Sequence, residues 1–145
     1  MILTLEMAKK LIKGAERRAR ELGISEVIAI VDEGGNLIAC HRMNDAWISS
    51  ISLAQKKAWT SVALKMPTSY LAGMARPNAE LYGINTTDDR IVIFGGGIPL
   101  VMDGHIVGAV GASGSTVEHD MEVAAAAVQV FDSLYGHGYS HGPRE

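Results

Sequence analysis

The sequence predicts an α+β fold in which helices pack on an antiparallel sheet of about five strands. Two observations carry this prediction. First, short runs of β-branched residues flank tight turns at two places, which predicts two hairpins. Second, the sequence lacks the regular strand–helix–strand repeat that is typical of a parallel sheet. At 145 residues the chain has the size of one domain. We expect residues 1–135 to form a single domain and residues 136–145 to form a flexible tail.

Composition excludes several classes of protein. Hydrophobic residues make up 48% and charged residues 20%, which is globular composition. The net charge of −3 argues against nucleic-acid binding, which requires a clearly basic face. The single cysteine, Cys40, excludes an internal disulfide and a cysteine zinc cluster. Because no continuous apolar segment resembles a signal peptide or membrane span, we expect a cytoplasmic protein that binds neither nucleic acid nor membrane.

The first three elements are a helix and a hairpin. Thr4 is suited to cap the helix N-terminus with its hydroxyl, and Gly23 is suited to end it. The run 27–31 is short and rich in β-branched residues, which indicates a buried strand. Residues 32–36 have turn chemistry and residues 37–43 return as a second strand, so the pair is predicted to form a hairpin.

The next segments are a second helix, a short third helix and an irregular stretch. Apolar residues from Trp47 to Val62 share one helical face, and Pro67 stops the helix. A short helix is predicted from Pro67 to Ala72. The run Arg90–Phe94 then indicates a strand that three glycines close.

The chain ends with a hairpin and a helix. Asp103-Gly104 separates two apolar runs, 98–102 and 105–110, and is a strong hairpin signal. The segment Ser115–Glu118 fits a capping box at the start of the last helix. The predicted buried stripe of that helix is Val117, Met121, Ala124, Ala125, Val128 and Phe131. The small residues 124–127 also permit close approach of a partner, including another subunit.

Two glycine-rich segments are candidate binding elements. The turn from Gly111 to Thr116 offers amides, hydroxyls and a helix N-terminus that can hold a carboxylate or phosphate. The same residues equally fit a capping turn that needs glycines for its geometry. Gly95-Gly96-Gly97 lets a ligand or another chain approach the backbone closely, or forms a bulge or bend in the sheet. We predict that the two segments lie together at one end of the sheet, as two walls of one cleft.

Two histidines are candidate iron ligands. Glu118, His119 and Asp120 point in different directions on a helix, so they cannot converge on one metal, but His119 alone can ligate a haem iron. The alternative is an exposed histidine at a helix start. His41 lies at the end of the second predicted strand beside Arg42, which can pair with an acid group or simply hold the strand end.

As a set, the motifs resemble the GlcG/HbpS family, which includes the C-terminal domain of PduO-type cobalamin adenosyltransferases and small proteins encoded beside diol and glycerol dehydratases. The segments that carry the resemblance are 31–36, 41–46, 57–59, 94–99, 108–111 and 113–120. The resemblance implies a profilin-like three-layer α/β/α sandwich with a five-stranded antiparallel sheet. It also implies haem binding, as in several relatives, and a homo-oligomer, often an octamer. His119 and Asn44 depart from the family pattern, which commonly has Gln and Asp there.

Our leading hypothesis is an accessory protein that binds haem or a related tetrapyrrole without catalysis of its own. His119 is the preferred iron ligand and His41 the second. The predicted cofactor-binding residues are His119, His41, Arg42, Gly95, Gly96, Gly97, Ser113, Gly114, Ser115 and Thr116. One alternative is an enzyme acting on a carboxylate or hydroxy-acid, with Arg42 as clamp and Lys57 or Glu118 as acid/base. Another is a structural partner of a cobalamin-dependent dehydratase system.

Overall fold

A computed structural model describes residues 2–135, and within them it shows four α-helices and a four-stranded antiparallel sheet. The predicted tail, residues 136–145, lies outside the described residues. The elements are α1 (Leu5–Leu22), β1 (Val27–Asp32), β2 (Leu37–Arg42), α2 (Ile48–Leu64), α3 (Thr68–Met74), β3 (Gly97–Met102), β4 (His105–Ser113) and α4 (Val117–Tyr135), with a 3-10 turn at Ile84–Thr86.

Local turn and capping chemistry places the first helix and both hairpins as predicted. The Met7 amide donates to the Thr4 hydroxyl at 3.2 Å, and Gly23 ends α1 in the left-handed conformation with φ +74°. Strands β1 and β2 pair directly, as do β3 and β4. The turn between β3 and β4 is Asp103-Gly104, and both residues have positive φ.

The sheet has the order β2-β1-β4-β3 and separates two layers of helices. Successive side chains of a strand point to opposite faces, and β1 shows this directly. Ile28 and Ile30 join the core formed with α1 and α4, whereas Val27 and Ala29 pack with Ala54 of α2. The three layers are therefore α2, the sheet, and the α1/α4 pair.

The prediction of a fifth strand at Arg90–Phe94 is wrong. This segment runs beside α2 instead of joining the sheet. The Thr60 hydroxyl lies 2.8 Å from the Arg90 carbonyl oxygen and accepts from the Val92 amide at 3.1 Å. A side chain of α2 thus satisfies backbone groups that a strand would pair in a ladder. Gly96, at φ +125°, then turns the chain into β3.

The N-cap of helix α4 lies one residue later than the capping box predicted, and the helix buries a different face. The Thr116 hydroxyl accepts from the His119 amide at 3.1 Å, so Thr116 rather than Ser115 caps the helix. The buried residues of α4 are Asp120, Val123, Ala124, Ala127 and Phe131. Of the predicted stripe, Ala124 and Phe131 are buried, whereas Val117 is 43% and Met121 36% exposed.

Two of the small residues at 124–127 of α4 pack within the chain. Ala124 and Ala127 are completely buried in the core shared with α1. A Cβ on Gly14 of α1 would lie 2.5 Å from Cγ2 of Val130, so the two helices approach as closely as a glycine allows. The close approach predicted for a partner is therefore made by α1 of the same chain.

Candidate functional site

The two glycine segments meet at one end of the sheet, as predicted. Gly97 of β3 is the register partner of Gly111 of β4. At the next pair, formed by the residue before Gly97 and the residue after Gly111, the Ala112 amide donates to the Gly96 carbonyl at 2.9 Å. This confirms the predicted proximity. Gly96 and Gly97 form one wall of a cleft, the glycine wall, but the opposite wall is α4 rather than the predicted turn from Gly111 to Thr116.

The cleft has a volume of about 450 Å³ and lies between α3, the start of β3, and α4. This volume is within the range of roughly 300–1,000 Å³ that is usual for small-molecule and cofactor sites. Three of the lining side chains are polar, namely Ser69, Tyr70 and Gln129. The other lining residues are Pro67, Gly96, Gly97, Ile98, Met121, Ala125 and Val128. The arrangement suits a large, mainly apolar ligand.

Close approach by other parts of this chain explains the three glycines. A Cβ on Gly95 would lie 2.7 Å from the Met121 sulfur, and one on Gly97 would lie 2.4 Å from the Lys57 carbonyl oxygen. At Gly96 it would lie 2.6 Å from Nζ of Lys57. Helices α2 and α4 therefore press on this wall from two sides, and side chains here would force them apart.

Behind the glycine wall lies a buried ion pair. The Lys57 ammonium donates to Oδ2 of Asp120 at 3.0 Å and to the Ala112 carbonyl at 2.9 Å. The other Asp120 oxygen accepts from the Ser115 amide at 3.0 Å. The ring of Phe94 lies 5.3 Å from the ammonium, within cation–π distance. Both charged side chains are almost fully removed from water, with exposures of 0% and 5%.

Glu26 completes this cluster from the residue before β1. It is fully buried, and no N–H or O–H group of the described residues donates to either carboxyl oxygen. The carboxyl lies against the Asp120 carboxylate, to which it donates a hydrogen bond when it is protonated. Burial, and then the neighbouring Asp120 carboxylate, raise the pKa of Glu26 to about 9, against the opposing effect of Lys57. Glu26 is therefore protonated at neutral pH. The cluster then carries one positive and one negative charge, and its net charge is zero.

Sequence reasoning singled out Lys57 and Asp120 separately but did not find this cluster, and it missed Glu26. One signal was available, because Lys57 lies three residues after Ala54 and beside Ala58, on the helix face that packs on the sheet. A second was that Glu26 directly precedes a strand buried on both faces. A charged residue at such a position needs an internal partner.

The polar groups of the glycine-rich turn are engaged by the chain itself. The Ser113 hydroxyl is buried and donates to the Ser50 hydroxyl at 3.0 Å. The Ser115 amide donates to Asp120, and the Thr116 hydroxyl caps α4. A Cβ on Gly114 would lie 2.4 Å from a backbone oxygen. This geometry favours the capping-turn interpretation over an anion cradle.

The two candidate histidines lie in separate places. His119 is half-buried in the first turn of α4, with Nδ1 2.9 Å from the Ser115 hydroxyl. It does not line the cleft, because it is about 200° around the helix from Met121. His41 is exposed on β2, with Nδ1 3.2 Å from a carboxylate oxygen of Glu16. Three strand spacings, about 14 Å, separate β2 from β3.

The residues of the alternative enzyme hypothesis do not come together. The Arg42 guanidinium donates twice to the Ala46 carbonyl, at 3.0 and 2.9 Å, and so holds the end of β2. Lys57 is sealed in the interior, whereas Glu118 is exposed on α4. Within residues 2–135, no group of three or more histidine, cysteine or acidic side chains is arranged to hold a metal ion. No helix in that range has the length and apolar character needed to cross a bilayer.

Comparison with known proteins gives one consistent result. A family model described as haem degrading protein HbpS-like matches residues 3–129. The chain is 41% identical to an uncharacterized 15.0 kDa protein of the dhaT-dhaS intergenic region of Citrobacter freundii, over 91% of this chain and 94% of that protein. It is 41% identical to the corrinoid adenosyltransferase PduO of the same species, over 88% of this chain but only 38% of PduO. A crystal structure of a PduOC:heme complex superposes with a TM-score of 0.86 and 39% identity, over 90% of this chain and 95% of that one.

Proposed function

Because the chain belongs to the HbpS-like family, we propose that it binds haem or a related tetrapyrrole in the apolar cleft between α3, β3 and α4. The observation that carries the proposal is the cleft itself. Met121, Ala125 and Val128 give α4 an apolar face that the other described residues leave partly open to the cleft. A complex of a 39% identical protein with haem supports the same ligand class.

The residues of the cleft fit such a ligand. Ile98, Ala125 and Val128 provide apolar contact for a flat macrocycle, and the glycine backbone allows it to approach closely. The polar side chains of Ser69 and Gln129 are suited to hydrogen-bond propionate groups. Bound haem supplies iron-centred chemistry, whereas these residues bind it, orient it and exclude water.

Met121 is the proposed iron ligand for haem in this cleft, because methionine sulfur is an established haem donor and this side chain lines the site. His119 remains the candidate from sequence. Ser115 holds its Nδ1, which leaves Nε2 for a metal. Ligation by His119 would place the haem against the other side of the α4 N-terminus. Ligation by His41 would place it beside β2.

Haemin titration of the purified protein tests the proposal. We expect a Soret shift that saturates at one haemin per chain. Ala125→Trp fills the cleft and should weaken binding at least tenfold, whereas Ala63→Trp, on the exposed surface of α2, should leave it unchanged. Wild-type affinity in Ala125→Trp would contradict binding in the cleft.

The same titration identifies the ligand. Met121→Leu keeps the shape of the cleft but removes the sulfur, and should alter the Soret and visible bands of the ferric complex. His119→Ala and His41→Ala should leave these bands unchanged if Met121 ligates. A changed spectrum in His119→Ala, with a wild-type spectrum in Met121→Leu, would instead assign the iron to His119.

Self-association is a further part of the proposal. Trp47 and Ile48 are adjacent at the start of α2 and are 59% and 75% exposed, which is a large apolar area for a water-facing surface. We expect a dimer or larger assembly, up to an octamer, and not a monomer of 15.5 kDa, by light scattering at micromolar concentration. Replacing both residues by Ser should lower the mass, whereas Tyr82→Ser, at a 67% exposed site, should not. A monomeric wild type would contradict this part.

The enzyme alternative has weaker support, since it needs Arg42, Lys57 and Glu118 around one substrate and they lie on three separate elements. We therefore propose a binding, accessory role rather than a catalytic one. Turnover of a carboxylate or hydroxy-acid that is lost in Arg42→Ala would reverse this choice.

A further inference from the structure

The buried cluster of Glu26, Lys57 and Asp120 joins three parts of the chain that are distant in sequence. Lys57 comes from α2, Asp120 from α4, and Glu26 from the residue before β1. All three side chains are within 5% of complete burial. A buried ion pair is costly to desolvate, and well-packed apolar residues are often at least as stabilising in its place. Its presence therefore calls for an explanation other than stability.

The cluster is in direct contact with the wall of the cleft. Nζ of Lys57 lies against Gly96, where a Cβ would approach it to 2.6 Å. The same ammonium donates to Ala112, whose own amide bonds the Gly96 carbonyl. Lys57 thus ties the glycine wall, through β4, to α2.

The cluster also holds the opposite wall. Asp120 accepts from Lys57 with one oxygen and from the Ser115 amide with the other, so it fixes the entry of the chain into α4. The next residue, Met121, lines the cleft, and its sulfur packs over Gly95. One ammonium group therefore holds both walls of the cleft through its two directional hydrogen bonds.

We infer that Lys57 and Asp120 are positioning residues that set the separation of the glycine wall and α4, and so the width of the apolar cleft. The choice of haem as the ligand in the test rests on the proposed function. The inference that the pair sets the width of the cleft is independent of it. A hydrogen bond fixes distance and direction, whereas an apolar contact allows the helix to slide. Loosening the pair should therefore release the first turn of α4 without unfolding the core.

The test uses the double variant Lys57→Met/Asp120→Asn. This variant removes both charges together, so no unpaired charge is left beside the neutral Glu26 carboxyl. The new side chain at position 120 keeps an oxygen that can accept from the Ser115 amide. Asp120→Asn alone is the second variant if the double variant does not fold. The matched control is Arg18→Met/Glu122→Gln, which removes a surface ion pair between α1 and the same helix α4.

Two measurements give the result, namely amide hydrogen exchange of residues 115–121 and haemin affinity. We expect exchange in this segment to rise at least tenfold and haemin affinity to fall at least tenfold, with both unchanged in the control. Unchanged exchange and affinity in a folded variant would overturn the inference. If wild-type protein binds no haemin, the proposed function fails, and the exchange measurement still decides whether the pair positions α4.

Discussion

Helix α4 presents two apolar faces, and they have different roles. The inner face places Val123, Ala127 and Phe131 in the core, where each is completely buried. The outer face places Met121 and Val128 on the cleft, where no other part of the described chain covers them fully. Apolar residues on a helix are thus not evidence of core by themselves. The neighbouring elements decide which face is packed and which is left for a ligand.

The inner face also carries one charged residue, Asp120. The largest effect that we expect on the free energy of unfolding comes from the titration of its neighbour Glu26. In the unfolded chain this carboxyl ionises near its ordinary pKa of 4.5, whereas in the folded protein its pKa is raised to about 9. Its contribution to stability is therefore complete below pH 4.5 and is lost as pH rises to 9. The slope is at most about 1.4 kcal/mol per pH unit.

Glu26→Gln removes this titration. The difference in free energy of unfolding, variant minus wild type, measured by urea denaturation, should increase from pH 5 to pH 9. Glu6→Gln, an exposed substitution in the first turn of α1, is the control and should give a constant difference. A difference that stays constant with pH in Glu26→Gln would contradict the assignment of a protonated, buried carboxyl.

The next effect compares the two faces directly. Phe131→Ala opens a cavity in the core and should cost about 3–5 kcal/mol of unfolding free energy, measured by denaturant titration. Val128→Ala, three residues earlier on the half-buried outer face, should cost no more than about 1.5 kcal/mol. Haemin affinity should show the reverse order, with the larger loss in Val128→Ala. Equal losses of stability would show that the outer face is core.

Local chemistry made much of the fold predictable from sequence. A threonine cap, a glycine stop and the Asp103-Gly104 turn each act within a few residues, so α1 and both hairpins could be placed. The run Arg90–Phe94 could not, because β-branched residues favour any extended, partly buried segment. Only the contact with Thr60 shows that it follows α2 instead of the sheet.

The candidate site was predictable in part for the same reason. The glycine segments were correctly brought together because they adjoin neighbouring strands. Which face of α4 packs on the core was not predictable, since Met121, Val123 and Val128 make the helix apolar around most of its circumference. The buried cluster depends on residues 26, 57 and 120, and no local rule relates positions so far apart in sequence.

One measurement tests most directly whether the outer face of α4 is a binding site. Zinc protoporphyrin IX is diamagnetic, so its addition can be followed by methyl NMR of the intact protein. The methyl signals of Met121, Ala125 and Val128 should shift on titration, whereas those of Val123 and Ala127 should not. Shifts confined to the surroundings of His119 or His41, or no shifts at all, would contradict the cleft as the tetrapyrrole site.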